Sequence, residues 1–345
     1  MDIAGRIIGP EHPPFIIAEM SANHGGDIER AKAIITMARE CGADAVKMQS
    51  YTPDTITIDH DGPEFRIESG LWAGETLYSL YQKAHTPFEW HEELFAHAAE
   101  EGITLFSAPF DPTAVDLLES LNAPAYKIAS LELVDIPLIE KVARAGKPLI
   151  LSTGTASLED IKRAIDAAIS QGNENIILLH CVSGYPTPMK EVHLRTMEDL
   201  KQQFSVPVGL SDHSLGLAVP IAATALGACV IEKHVTLRRA DGGADAAFSL
   251  EPEELASLVK ETCNAFQALG SVSYELKPSE KTNASFKRSL YVVQDVAKNE
   301  ELTEDNIRSI RPGYGLAPRH FKEVLGKRAK APISKGTALN WDLFQ

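Results

Sequence analysis

The chain has 345 residues, 44% of them apolar and 23% charged, enough for one large barrel-sized core and a small appendage. Its formal charge of −15 argues against nucleic acid or an anionic membrane as a partner. No apolar run approaches a membrane span and Met1–Gly5 opens no secretory leader. The four cysteines (Cys41, Cys181, Cys229, Cys263) show neither close pairing nor metal-type spacing, so a reducing, cytoplasmic setting is expected.

Eight short apolar, β-branched runs follow one another along the first 270 residues. They are Phe15–Ser21, Ala45–Ser50, Ile103–Pro109, Ala125–Ser130, Pro148–Gly154, Asn175–Ser183, Val206–His213 and Cys229–Thr236. Amphipathic segments such as Ile28–Glu40, Leu158–Ile169 and Pro252–Leu269 separate them. Glycines just before several strands (Gly42, Gly102, Gly146, Gly172, Gly227) fit helix stops. Eight alternating βα units predict an α/β fold, a (β/α)8 TIM barrel over residues 1–270. Residues 51–86 form a long excursion after the second strand, expected to be a loop over the active face. Residues 271–285 are polar and aperiodic, which predicts a linker. Residues 286–345 alternate short apolar pieces with turn signals and predict a small, mostly irregular domain. From Lys281 onward the chain has twelve Lys and Arg against seven Asp and Glu, leaving 21 basic and 41 acidic residues before it. A basic tail beside an acidic body fits docking within or between subunits, as well as plain solvated charge.

Most of the predicted strands end in an ionisable or hydroxyl side chain. These are Glu19, Lys47, Ser107, Lys127 with Ser130, Ser152, Ser183, Ser211 with His213, and Glu232 with His234. In a βα barrel the C-terminal strand ends converge on one mouth, where active sites of this fold sit. A single serine at a strand end is ordinarily a helix cap, but several lysines, glutamates and histidines gathered in one cavity need partners or a ligand. Lys47 and Lys127, with Ser130, Ser152 and Ser211, suit a small phosphorylated carboxylate. No GxxxxGK[ST] or GxGxxG is present, which disfavours a nucleotide. His213 and His234 end neighbouring strands and would leave an open metal site, able to polarise a carbonyl, although two histidines alone are as compatible with a packing role. The loops beginning at Asn23, Tyr185 and Arg238 rise from the same mouth, and the last carries glycines and carboxylates that suit sugar hydroxyl or amide groups.

In order and spacing, IIAEMSANHGGD, GADAVKMQSY, LFSAPFD, AYKIASLE, LILSTG, LLHCVSGYPTP, VGLSDHSLG and VIEKHVT resemble the sialic acid synthase family. ADGGADAAFSL and the Tyr78–Trp90 segment look like its pseudaminic acid branch. IRPGYGL, LGKRA and ISKGTALN resemble the family's C-terminal antifreeze-like (SAF) domain. The resemblance implies condensation of phosphoenolpyruvate with an acetamido hexose. It also implies a manganese-like divalent metal, with magnesium or cobalt as alternatives, and a domain-swapped homodimer. Lys47, Lys127, Ser130, Ser152, Ser183 and Ser211 are then expected to hold phosphoenolpyruvate, and His213 and His234 the metal. Glu19, Lys47, Lys127 and Glu232 are expected to be catalytic, with Glu19 as acid/base. Glu19, Asn23, Glu132, Tyr185, Asp245 and, across the dimer, Arg311 are expected to face the sugar. Ser183 stands where many members have Asn, and Ala108 where some have Thr. Synthases of N-acetylneuraminate or legionaminate, a Schiff-base aldolase and a non-catalytic sugar- or ice-binding protein are the competing expectations.

Overall fold

The computed structural model describes residues 1–345, which divide into two units, Met1–Gly270 and Ser271–Gln345. In the first unit eight parallel strands close into a barrel. They are β1 (Phe15–Glu19), β2 (Ala45–Ser50), β3 (Thr104–Pro109), β4 (Tyr126–Ile128), β5 (Leu149–Ser152), β6 (Ile176–Cys181), β7 (Val208–Asp212) and β8 (Val230–His234). Each falls within one of the eight predicted runs. Closure is made by β8 on β1, with Val230 opposite Phe15 and His234 opposite Glu19.

Period-two alternation sorts every strand into an inner and an outer face. Outer-face residues such as Ile16, Val46, Leu105, Leu149, Leu178 and Ile231 pack against the surrounding helices. The inner face is apolar near the start of each strand, where Phe15, Ile17, Ala45, Phe106, Ala125, Ile150, Ile177 and Val230 form one cluster. Two residues further on, the same face carries Glu19, Lys47, Lys127, Ser152 and Glu232. Chemistry at the mouth is therefore a continuation of the packing below it. Gly209 on β7 lets this interior close, because a Cβ there would lie 2.4 Å from Val230 O and 2.8 Å from Leu179 Cδ2.

An N-terminal hairpin, Asp2–Ile3 paired with Arg6–Ile7, carries no signal in the sequence reading. It inserts Ile3 and Ile8, both at most 2% exposed, into the interior cluster and plugs the end away from the mouth. The helices carry their own start signals. Asp27, Asp111 and Ser157 cap Ile28–Glu40, Pro112–Ser120 and Leu158–Ser170 by accepting backbone N–H bonds. Residues 51–86 are more ordered than the expected loop, with short turns at Pro53–Ile56 and Pro63–Phe65 and a helix at Leu77–Ala84.

In the second unit Ser289–Val292 pairs antiparallel with Ile307–Ile310. Its core gathers Leu290, Val292, Leu302, Ile307, Val324, Ile333, Leu339 and Phe344. The segment read as a linker contains two short helical turns, Pro278–Glu280 and Lys281–Ala284. No helix in the chain is long and apolar enough to cross a membrane.

Candidate active site

At the mouth of the barrel, Lys47 Nζ lies 3.0 Å from Glu232 Oε1 and 3.2 Å from Glu19 Oε2, and Lys127 Nζ lies 3.4 Å from the same Glu232 oxygen. Ser211 Oγ donates to it at 3.3 Å. All four charged side chains are at most 4% exposed. Burial works against the Glu232 carboxylate, but Lys127 and Lys47 overcome it and hold its pKa down at about 2. For Glu19 burial wins: its pKa is raised, with Glu232 adding to the rise and Lys47 opposing it. Burial also lowers the Lys127 pKa, against the attraction of Glu232 and reinforced by Lys47, while Glu19 and Glu232 outweigh burial at Lys47 and raise its pKa. One carboxylate thus stays ionised beside two ammonium groups while its neighbour binds a proton more readily. Such a cluster can receive an anion and move a proton.

Four buried polar atoms at this mouth lack any hydrogen-bond partner: Glu19 Oε2, Glu232 Oε2, Ser152 Oγ and His234 Nδ1. Glu19 Oε2 is within ion-pair range of Lys47 but not aligned for a hydrogen bond. Orphaned groups of this kind are rare in folded interiors, and their concentration here marks a place for a ligand. Beside them Ser130 Oγ accepts from Gly154 N at 3.1 Å. A Cβ on Gly154 would come within 2.3 Å of Ser183 Oγ and 2.7 Å of Ser130 Oγ, so the absent side chain leaves a cradle lined by two hydroxyls and a backbone.

The imidazoles of His213 and His234 sit 5.2 Å apart, with Tyr185 4.4 Å from His213 and Phe248 4.9 Å from His234, centroid to centroid. His213 Nδ1 lies 3.1 Å from Val182 O, the bond that turns Nε2 into the free lone pair. Burial and the positive charges of His213, Lys47, Lys233 and Lys127 push the His234 pKa well below its ordinary value, so this ring stays neutral. Two adjacent rings, one oriented by a carbonyl and one with an unpartnered nitrogen, fit a divalent metal. No cluster of three or more His, Cys, Asp or Glu side chains supplies a fuller ligand set. Cys181 Sγ lies 3.9 Å from His213 Nδ1. Burial opposes ionisation of this thiol, yet His213, Ser130 and Lys127 bring its pKa down to about 7.

Above lies a cavity of about 220 Å³, lined on its polar side by Ser21, Gln49, Ser130, Glu132, His234 and Asp245. Burial raises the Glu132 pKa to about 7. Asp245 accepts from Ser21 Oγ at 2.5 Å, and burial raises its pKa against that bond. Tyr185 closes another part of the wall.

The structure thus brings Glu19, Lys47, Lys127, Ser130, Ser152, Ser183, Ser211, His213, Glu232 and His234 to one mouth, with Glu132, Tyr185 and Asp245 on the cavity above. Two expectations need correction. Asn23 spends both amide hydrogens on Val235 O and Ser249 Oγ, each at 2.8 Å, and ties two loops together instead of lining the cavity. Ser107 points to the outer face, bonded to Ser50 Oγ at 2.6 Å and Met48 O at 3.0 Å. Arg311, expected to reach the sugar from a partner subunit, lies in the second unit and is exposed there. Four contributors escaped the sequence reading. Gln49, which donates to Glu19 Oε1 at 2.9 Å and Ser21 Oγ at 3.0 Å, was accessible to period-two logic, being two residues beyond Lys47. Ser21, two residues beyond Glu19, was accessible to the same rule, whereas Trp72 and Phe248 carried no such signal.

A parallel βα barrel with an anion cradle, two lysines and two imidazoles at its mouth has the build of a barrel enzyme, its site at the C-terminal strand ends. Residues 34–274 match the NeuB family and residues 287–345 the SAF domain, and the chain belongs to the NeuB family of sialic acid synthase-type enzymes. It is 44% identical to a pseudaminic acid synthase of Helicobacter pylori, over 96% of this chain and 97% of that protein. It is 38% identical to an N,N'-diacetyllegionaminic acid synthase of Campylobacter jejuni, over 91% of this chain and 95% of that one. The crystal structure of N-acetylneuraminic acid (sialic acid) synthetase from Leptospira borgpetersenii, in complex with citrate, superposes with a TM-score of 0.72 at 34% identity, covering 82% of this chain and 94% of that one.

Proposed function

We propose that this chain is a pseudaminic acid synthase, joining phosphoenolpyruvate to 2,4-diacetamido-2,4,6-trideoxy-L-altrose and releasing phosphate. The observation that carries the chemistry is the cluster of Lys47, Lys127, Glu19 and Glu232 beside the Gly154 cradle and two imidazoles. The choice of sugar is supported by the greater identity to the Helicobacter enzyme than to the legionaminic acid enzyme.

Lys47 and Lys127, with Ser130, Ser152, Ser183 and Ser211, bind the phosphate and carboxylate of phosphoenolpyruvate and aim its C3 at the sugar aldehyde. Glu232 keeps both ammonium groups charged and in place. A divalent cation of the manganese type, held by His213 and His234, would act as a Lewis acid on the aldehyde oxygen when bound. As C3 bonds to the aldehyde carbon, C2 becomes electron-poor and water adds there. Glu19, poised to bind a proton, accepts one from that water. Glu19 passes that proton to the former aldehyde oxygen, and phosphate leaves with its bridging oxygen by cleavage of the C2–O bond, taking up the remaining hydroxyl proton as C2 becomes a ketone. Glu132, Tyr185 and Asp245 orient the sugar, and Arg311 reaches its N-acyl group from the partner in a domain-swapped homodimer. The chain's four free cysteines suit a reducing, cytoplasmic setting.

Phosphoenolpyruvate labelled with 18O in the bridging position tests this. Released phosphate retaining the label, with pseudaminic acid as the product, is expected. Loss of the label would reject C–O cleavage, and turnover confined to another acetamido sugar would reject the substrate.

A further inference from the structure

The polar side of the cavity accounts for the reacting end of a sugar, but much of its remaining lining cannot hydrogen-bond at all. Leu80 and Ala84 lie one helical turn apart on the Leu77–Ala84 helix and both face the cavity, as do Trp72 and Phe110. Trp72 has a single side-chain donor, and that N–H is already committed to Ala244 O at 3.0 Å. Its ring also packs 5.9 Å from Tyr185, so the excursion is pinned to the loops after β8 and β6. Phe110 is held edge-on against Tyr51, at 5.2 Å between centroids, and Tyr51 in turn meets Tyr81 at 5.6 Å. Tyr51 is 2% exposed, and both it and Tyr81 line the cavity, each adding one hydroxyl beside the apolar side chains. Trp72, Leu80, Ala84 and Phe110 themselves offer no free hydrogen-bonding group, and aromatic packing holds them as a pre-formed patch inside a sugar site.

A hexose whose carbons all carry hydroxyl groups would strand one of them on such a patch, stripped of water and with no partner. The aldehyde carbon must lie at the polar side, near His234, so the far end of the carbon chain is the part left to meet the wall. We infer that the wall of Trp72, Leu80, Ala84 and Phe110 receives the C6 methyl of a 6-deoxy sugar and selects it over the corresponding 6-hydroxy sugar. This rests on the function proposed above and adds to it the residues that set its specificity. An apolar pocket rejects an added hydroxyl by about 10²-fold at most, so a preference of about 10- to 100-fold is expected.

The test uses the full chain with phosphoenolpyruvate and manganese. It compares kcat/KM for 2,4-diacetamido-2,4,6-trideoxy-L-altrose with that for its 6-hydroxy counterpart, 2,4-diacetamido-2,4-dideoxy-L-altrose. Leu80→Asn should cut the preference to a few-fold, Ala84→Ser should lower it by a smaller factor with almost no change in volume, and Leu80→Met should restore it. Circular dichroism checks that each variant is folded, and Ala84→Ser carries the test if Leu80→Asn is not. Turnover of both sugars within about twofold by the unmodified chain overturns this inference while leaving the synthase reading intact. A preference unchanged in the folded polar variants overturns it as well. Turnover of neither sugar overturns both.

Discussion

The two ends of the same eight strands have opposite chemistry. Near the strand starts, Phe15, Phe106, Ile150 and Val230 fill the interior and Ile3 and Ile8 seal it, a plug built from apolar side chains. About two residues further on, the interior holds two lysines, two glutamates and four polar atoms with no partner. Unsatisfied polar groups cost free energy, and the packed half supplies the stability that tolerates them. The lesson is a division of labour along each strand: burial at one end, unfinished bonding at the other.

Mutations at the two ends should therefore separate stability from activity. Lys127→Ala removes a cation from the substrate site and should lower kcat by about 10³-fold or more. Glu232 keeps its contact with Lys47, so the thermal midpoint should stay within a few degrees, as steady-state kinetics and melting curves can check. Phe106→Ala should do the reverse. It should cost about 3–5 kcal/mol of stability in urea titrations, with the KM for phosphoenolpyruvate of the folded fraction unchanged. If Phe106→Ala instead raised that KM while stability held, the two ends would not be separable.

Gly154→Ala sharpens the contrast within the mouth. Its methyl would crowd Ser130 and Ser183, so KM for phosphoenolpyruvate should rise about tenfold or more while the melting midpoint changes little. An unaltered KM would remove the cradle from the site. The smallest effect concerns pH. Glu132 has its pKa raised by burial to about 7, so between the unfolded value near 4.5 and about 7 the folded chain binds the extra proton. Stability from this group is full below about 4.5 and declines as pH rises through that window. Glu132→Gln should make the urea midpoint less dependent on pH between 5 and 8. An equally steep decline in the variant would assign the effect elsewhere.

Much of this was legible before folding. Lys47 and Gln49, Ser211 and His213, and Glu232 and His234 each share a strand face because the side-chain period is two, and each pair sits at the end of an apolar run. The same rule could not say which face of β3 points inward, since Phe106 and Ser107 both lie in an apolar setting. Ser107 consequently read as a mouth residue when it faces the helices. Asn23 failed for a different reason: its partners, Val235 and Ser249, are more than 200 positions away, and a loop residue gives no sign of a bond made at that distance.

By itself the sequence determined the number of barrel strands, their order along the chain, and the polar residue that ends most of them, because apolar runs, periodicity and turn residues are local properties. Only the tertiary structure decided which charges meet. Lys127 and Glu232 are 105 residues apart and touch because β8 closes on β1 and brings distant strand ends around one axis. The braced apolar wall likewise exists only once residues 51–86 fold back over the mouth and Trp72 bonds to Ala244, since a surface is a property of the residues that share it in space.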